Sequence, residues 1–357
     1  MHSRQHACKL FRIAPPTSST AQIGFLNMKY NKLGNTGVEV SEFSLGCWPF
    51  AGGSVWGHQD INDSISTVHA ALDAGITTFD TAEGYNDDQH SEEVLGKALQ
   101  GRRSEAVIAT KLSGVHLAGD QVEATCDASL KRLGTDVIDL YQIHWPNHEI
   151  PIEETYRALD ALVTKGKVRA LGVCNFARKD LSDLLSCGPI VTDQLPYSLL
   201  WRAIEDAILP QCRENGIGII CYSPLMQGLL TGRYASPDEV PDGLSRTRLF
   251  RPDRPRANHS DTGVEEEVFT AIAEVRKIAD ELNQPMANVA LAWVRQQQGI
   301  ATLLVGARNT AELARNMPAL DLVLDDGVIA RLSDLTATVK KYLNGNADMW
   351  NSSNRMR

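Results

Sequence analysis

The chain reads as an α/β protein closed into a (β/α)8 barrel of the TIM type, with an N-terminal β-hairpin and long loops on its active face. Three observations lead there. From residue 29 onward, strand-like and helix-like segments alternate through a chain of 357 residues, the pattern of a parallel sheet with helical crossovers. The strand segments are mostly short apolar runs without polar alternation, as expected for strands covered on both faces. Four of them run into residues able to do acid–base chemistry, in the segments 79–85, 108–111, 140–144 and 171–176. A parallel barrel gathers the carboxyl ends of all its strands on one face, where such side chains can meet.

The elements follow in order. A hairpin at 30–33 and 38–41 turns through Gly34-Asn35-Thr36-Gly37. Strands are expected at 43–46, 77–79, 106–110, 138–143, 168–173, 190–193, 218–222 and 301–304. Helices are expected at 63–74, 92–99, 121–133, 153–164, 179–185, 205–215, 264–282 and 310–317. The segment 153–164 shows the logic, with Tyr156, Leu159, Leu162 and Val163 on one stripe and charges opposite. An open doubly wound sheet would want a Gly-x-Gly-x-x-Gly turn after an early strand, and Gly46-Cys47-Trp48 is not one. Two connections are long: residues 48–62, with Trp48, Gly52-Gly53 and Trp56, and residues 223–263, rich in Pro, Arg and Asp. Long loops at this face of a barrel usually cover ligands. A last amphipathic helix at 326–336 leads to a tail, 342–357, that either folds over the barrel mouth or stays free.

A net charge of −9 without a basic stripe argues against nucleic acid as a partner. No stretch is apolar enough to span a bilayer. The seven cysteines are scattered, without Cys-x-x-Cys or a secretory signal. Free thiols and a cytoplasmic location are therefore expected. His144 and His148 are four apart, but Pro146 lies between them after a strand, so no metal is expected. Residues 1–27 carry Arg4, Lys9 and Arg12, no acid, Pro15-Pro16 and a Ser/Thr cluster. They read as a disordered tail or an upstream-start extension, with an organelle transit peptide as the alternative. The barrel domain is placed at 28–357.

The ordered motifs carry a resemblance. Gly75-Ile76-Thr77-Thr78-Phe79-Asp80-Thr81-Ala82-x-x-Tyr85, Ser91-Glu92-Glu93-x-Leu95-Gly96, the Lys111 and His144 strands, Gly172-Val173-Cys174-Asn175-Phe176, Tyr222-Ser223-Pro224-Leu225-x-Gln227-Gly228-Leu229-Leu230 and Val305-Gly306-Ala307-Arg308 occur in this order. Together they resemble the aldo-keto reductase superfamily from Met28 onward, nearest its bacterial IolS-like branch. The resemblance implies an NAD(P)H-dependent reductase of a small aldehyde, ketone or sugar-derived carbonyl, with Asp80, Tyr85, Lys111 and His144 as its catalytic tetrad.

The chemistry stands on its own terms. Carbonyl reduction needs hydride at carbon and a proton at oxygen. A phenol with a pKa near 10 is a poor acid or base at neutrality. An adjacent ammonium is expected to lower that value. Lys111 would play this part, Asp80 would hold Lys111, His144 would polarise the carbonyl and Tyr85 would deliver the proton.

The resemblance also implies the nucleotide contacts. Asn175 and Gln194 would hold the carboxamide, Tyr222 would stack on the ring, and Ser223, Leu225, Gln227 and Gly228 would line the pyrophosphate. Gly306, Arg308, Glu312 and Asn316 would surround the adenosine end. Cys174 stands where the family usually has serine. Glu312 either caps its helix from beside Asn309 or faces a 2′-phosphate and favours NAD(H). Arg308 pulls toward NADP(H), which is the expected preference, with NAD(H) as the other possibility. Trp48, Trp56, His58, Trp145 and Trp201 are candidate pocket walls. Two rivals keep the fold: a nucleotide-binding regulatory subunit resembling channel β-subunits, and a barrel using Lys111 as a Schiff-base amine. Substrate identity and oligomeric state are left open.

Overall fold

The computed structural model describes residues 28–357, and the expectation for residues 1–27 lies outside them. A hairpin of β1 (Tyr30–Lys32) and β2 (Glu39–Ser41) leads into eight parallel strands. These are β3 (Phe43–Gly46), β4 (Thr78–Asp80), β5 (Val107–Leu112), β6 (Ile138–Ile143), β7 (Val168–Cys174), β8 (Thr192–Pro196), β9 (Gly218–Tyr222) and β10 (Ile300–Gly306). Each pairs with its sequence neighbour, and β10 closes on β3. The barrel is closed, as the alternation predicted.

The hairpin plugs the amino-terminal mouth. Its Leu33, Val38 and Val40 are buried in one cluster with Ala109, Leu140, Ala170, Ile220 and Ala301 of the barrel strands. Small alanines leave room for the plug. Inside the barrel Gly172 is obligatory for a similar reason, because a Cβ there would run into the Thr192 hydroxyl. Thr110 donates to Glu92 Oε1 and Arg132 to Glu92 Oε2, both at 2.6 Å, which ties a strand to the two helices behind it.

Besides the single turn Gly53–Trp56, two helices escaped the sequence reading. Met286–Arg295 is buried along almost its whole surface, so it shows no polar stripe to mark a helical period. Ala337–Leu343 continues from Asp326–Leu335 across a kink at Thr336, whose hydroxyl is drawn to the Leu332 and Ser333 carbonyls and to Arg202. The expected helix at 205–215 is a 3-10 turn, Ala203–Asp206, followed by Ile208–Glu214.

The tail folds onto the carboxyl end of the barrel. Asp348 is fully buried and accepts from the Arg355 guanidinium at 2.7 and 2.9 Å. Arg248 donates from its backbone N–H to the Met349 carbonyl and from its guanidinium to those of Asn346 and Asp348. The long loop after β9 and the tail thus form one cover over the mouth.

Candidate active site

Four strand ends converge as the sequence suggested. Asp80 closes β4, Lys111 lies one residue before the end of β5, and His144 follows β6. Tyr85 arrives from the loop after β4, fixed by its N–H to the Ala82 carbonyl at 3.1 Å and by Ser91 N–H to its own carbonyl at 2.8 Å.

Lys111 is the hub. Its ammonium is fully buried and donates to Asp80 Oδ1 at 2.5 Å, the Thr81 carbonyl at 2.8 Å and Tyr85 Oη at 3.3 Å. An ammonium has three donors, and all three are used. Burial alone would push its pKa down. The Asp80 carboxylate and the Tyr85 oxygen reverse that and raise it, so the ammonium stays charged. Asp80 Oδ2 in turn accepts from Gln194 Nε2 at 2.7 Å and Gln142 Nε2 at 3.4 Å. Gln142 was missed in the sequence, although it lies two residues before His144 and therefore shares its inward face.

The electrostatics correct one expectation. Burial pushes the Tyr85 phenol up to about 12, and the lowering effect of Lys111 only limits the rise. Tyr85 is therefore a phenol, not a poised phenolate. Since Lys111 donates to its oxygen, the phenolic hydrogen is free to point elsewhere. His144 is driven down to about 3 by burial, then by Lys111 and Arg355, so its ring is a neutral imidazole. It meets the Tyr85 ring edge-on at 5.7 Å between centroids.

Beside the tetrad, Asn175 sits at φ 62° and donates to the His144 carbonyl at 3.0 Å and to Cys174 Sγ at 3.1 Å. Its Oδ1 accepts from the Tyr222 hydroxyl at 2.9 Å. The thiol thus accepts from Asn175 and donates to Gln194 Oε1 at 3.8 Å, and the amides of Asn175 and Gln194 already have protein partners.

Ser223, Met226 and Gln227 have φ of 51°, 46° and 51°, and Gly228 has 92°. Three non-glycine residues held in the left-handed region mark a loop whose strain is kept for a purpose. Both polar atoms of the Gln227 amide are buried without a partner among the described residues. An orphaned amide on a turn of this kind fits a nucleotide pyrophosphate.

At the far end Glu312 takes neither of its two expected roles alone. It accepts from the Arg308 guanidinium and the Arg308 N–H, both at 2.9 Å, while its own N–H is capped by Asn309. Gly306 is exposed and Asn316 is buried beside them.

The aromatic candidates divide. Trp48 stacks on Tyr85 at 5.6 Å and 20°, and Trp56 meets Trp48 edge-on at 5.4 Å. Trp145 lies beneath the Arg355 guanidinium at 3.6 Å. Trp201 is wholly buried and bonds the Ala347 carbonyl, so it packs the tail and faces no cleft. His58 is exposed on its loop and makes no hydrogen bond among the described residues. No cluster of metal-ligating side chains occurs among the described residues, and none of their helices is long and apolar enough to cross a membrane.

Residues 42–337 match the sequence profile of the Aldo/keto reductase family. Aldo-keto reductase YhdN of Bacillus subtilis is 35% identical over 297 residues, covering 80% of this chain and 87% of that protein. The NADH-specific methylglyoxal reductase of Escherichia coli is 31% identical over 337 residues, covering 88% of this chain and 100% of that protein. Among solved structures, the glycerol dehydrogenase AKR11B4 of Gluconobacter oxydans superposes with a TM-score of 0.75 at 31% identity, over 87% of this chain and 95% of that one. An aldo-keto reductase of Klebsiella pneumoniae in complex with NADPH gives 0.66 at 29% identity, over 84% and 92%. With a matching profile over most of its length and a closed barrel carrying Asp80, Tyr85, Lys111 and His144 on one face, the chain belongs to the aldo/keto reductase family.

Proposed function

We propose that this protein is a cytoplasmic NAD(P)H-dependent reductase of a small aldehyde, ketone or sugar-derived carbonyl, with Tyr85 as the proton donor. The observation that carries the reading is the triple donation of Lys111 to Asp80, Thr81 and Tyr85 in a fully buried site. Lys111 holds the phenol oxygen, so the phenol hydrogen is left for a substrate oxygen. Neutral His144 offers a ring N–H to that oxygen without supplying a competing acidic proton. Asp80 keeps Lys111 charged, and the resulting field stabilises negative charge as it grows on the phenol. A bound NAD(P)H supplies the hydride.

Gln227, Ser223 and Gly228 are suited to the pyrophosphate, and Arg308, Glu312, Gly306 and Asn316 to the adenosine end. Arg308 is 42% exposed. One of its five donors goes to the Glu312 side chain, which leaves others for a 2′-phosphate and favours NADP(H), with NAD(H) still accommodated.

Tyr85→Phe tests the reading. Aldehyde reduction is expected to fall roughly 100- to 10,000-fold while NADPH affinity, followed by fluorescence, holds. Turnover close to wild type would remove Tyr85 as the donor. Nucleotide binding with no turnover on any carbonyl by the wild-type protein would favour the regulatory-subunit reading instead.

A further inference from the structure

One cation at the mouth is not accounted for by the tetrad or the nucleotide loops. Arg246, on the long loop after β9, donates from Nε to the Gly243 carbonyl at 3.0 Å. Its terminal nitrogens have no partner and no carboxylate pairs with it among the described residues, although the chain as a whole carries a net charge of −9. Its neighbours are aromatic: Cζ lies 4.3 Å from the Trp350 ring and 5.9 Å from the Trp48 ring. Trp48 is the ring stacked on Tyr85.

Two other guanidiniums at the mouth have counter-ions. Arg355 is neutralised by two bonds to buried Asp348, and Arg248 is paired with Asp261. The charged group beside Arg246 is a second cation, Arg256, anchored to the Ser54 carbonyl at 2.8 Å. Burial and then Arg256 pull the Arg246 pKa down, the signature of a desolvated positive charge without a counter-ion.

Resting on the reductase reading, we infer that Arg246 is a specificity-determining residue, and that the substrate is a carbonyl compound bearing an anionic group, carboxylate or phosphate, on a short chain. The indole of Trp48 is the spacer. It separates the phenol that protonates the carbonyl from the guanidinium that takes the anion, and its face covers the apolar chain between them. An aromatic-lined guanidinium is weakly hydrated and has a planar fork of donors, so it exchanges little water for a bidentate bond to a carboxylate or phosphate. A neutral substrate would leave the cation desolvated and unpaired.

The test compares matched pairs: 4-oxobutanoate against its methyl ester, and glyceraldehyde 3-phosphate against glyceraldehyde. In the wild-type enzyme kcat/KM is expected to favour an anionic member by about 10- to 100-fold, with the preference falling as salt rises. Arg246→Gln should collapse that ratio toward one, and Arg246→Lys should restore part of it. The two pairs distinguish carboxylate from phosphate. Wild-type ratios at or below one for both pairs would overturn the inference, as would a ratio that survives in Arg246→Gln. Failure of every aldehyde, neutral and anionic, would instead strike the reductase reading beneath it.

Discussion

Removing the Lys111 charge should expose how tightly the site is built. Lys111→Met leaves the Asp80 carboxylate 3% exposed with only the two glutamine amides on Oδ2. Asp80→Asn leaves the ammonium fully buried against neutral acceptors with no counter-charge. Breaking a buried pair from one side costs about 3–5 kcal/mol, since the surviving charge keeps its desolvation penalty. At about 2 °C per kcal/mol for a chain of this size, each single variant should melt roughly 6–10 °C lower. The double variant buries no charge at this place, and its loss should be smaller than the sum of the two by roughly 2–3 kcal/mol. Thermal melts of all four proteins at pH 7, followed by circular dichroism, close the cycle. Strict additivity, or a single variant within about 1 °C of wild type, would refute the idea that the pair is mutually dependent. Both single variants should also lose most carbonyl reduction.

Three further outcomes follow from named contacts. On the proposed mechanism Tyr85 would donate in its protonated form, which is present below its pKa of about 12, and His144 would act neutral, above about 3; kcat/KM for the nucleotide, which reports the free enzyme, should therefore be flat through neutrality and show no midpoint that disappears in Tyr85 or His144 variants. Gly172→Ala should destabilise by about 1–3 kcal/mol in a denaturant melt, because the new methyl group meets the Thr192 hydroxyl inside the barrel. Arg308→Ala should weaken NADPH binding roughly tenfold more than NADH binding in a fluorescence titration, the loss of one charge-assisted contact; equal weakening of both would take Arg308 away from the 2′-phosphate.

Much of this molecule is legible in its sequence because the relevant information is local. Apolar runs of strand length, each followed by an amphipathic stripe, mark β/α repeats, and only a buried helix such as Met286–Arg295 erases its own stripe. Once the repeats close, the positions of Asp80, Lys111 and His144 at strand ends follow from topology, and the inward face of Gln142 from the two-residue period of β6. The sequence by itself therefore determined the barrel, the face that carries the chemistry and the residues gathered there.

Tertiary structure decided what those residues are. Whether Lys111 lowers or merely restrains the Tyr85 pKa depends on how completely the phenol is desolvated, and desolvation is set by atoms far away in the chain. Glu312 and Arg308 looked like rivals over a phosphate, and contact made them partners. Trp201 went to the tail, while Arg246 came to lie between Trp48 and Trp350 from segments some two hundred and one hundred residues away. Loops take their places only by packing on one another, because no backbone ladder fixes them in advance. Asp80 and Lys111 lie within strands and His144 directly after one, where the barrel fixes them, whereas the loop residues around them took their neighbours from the fold.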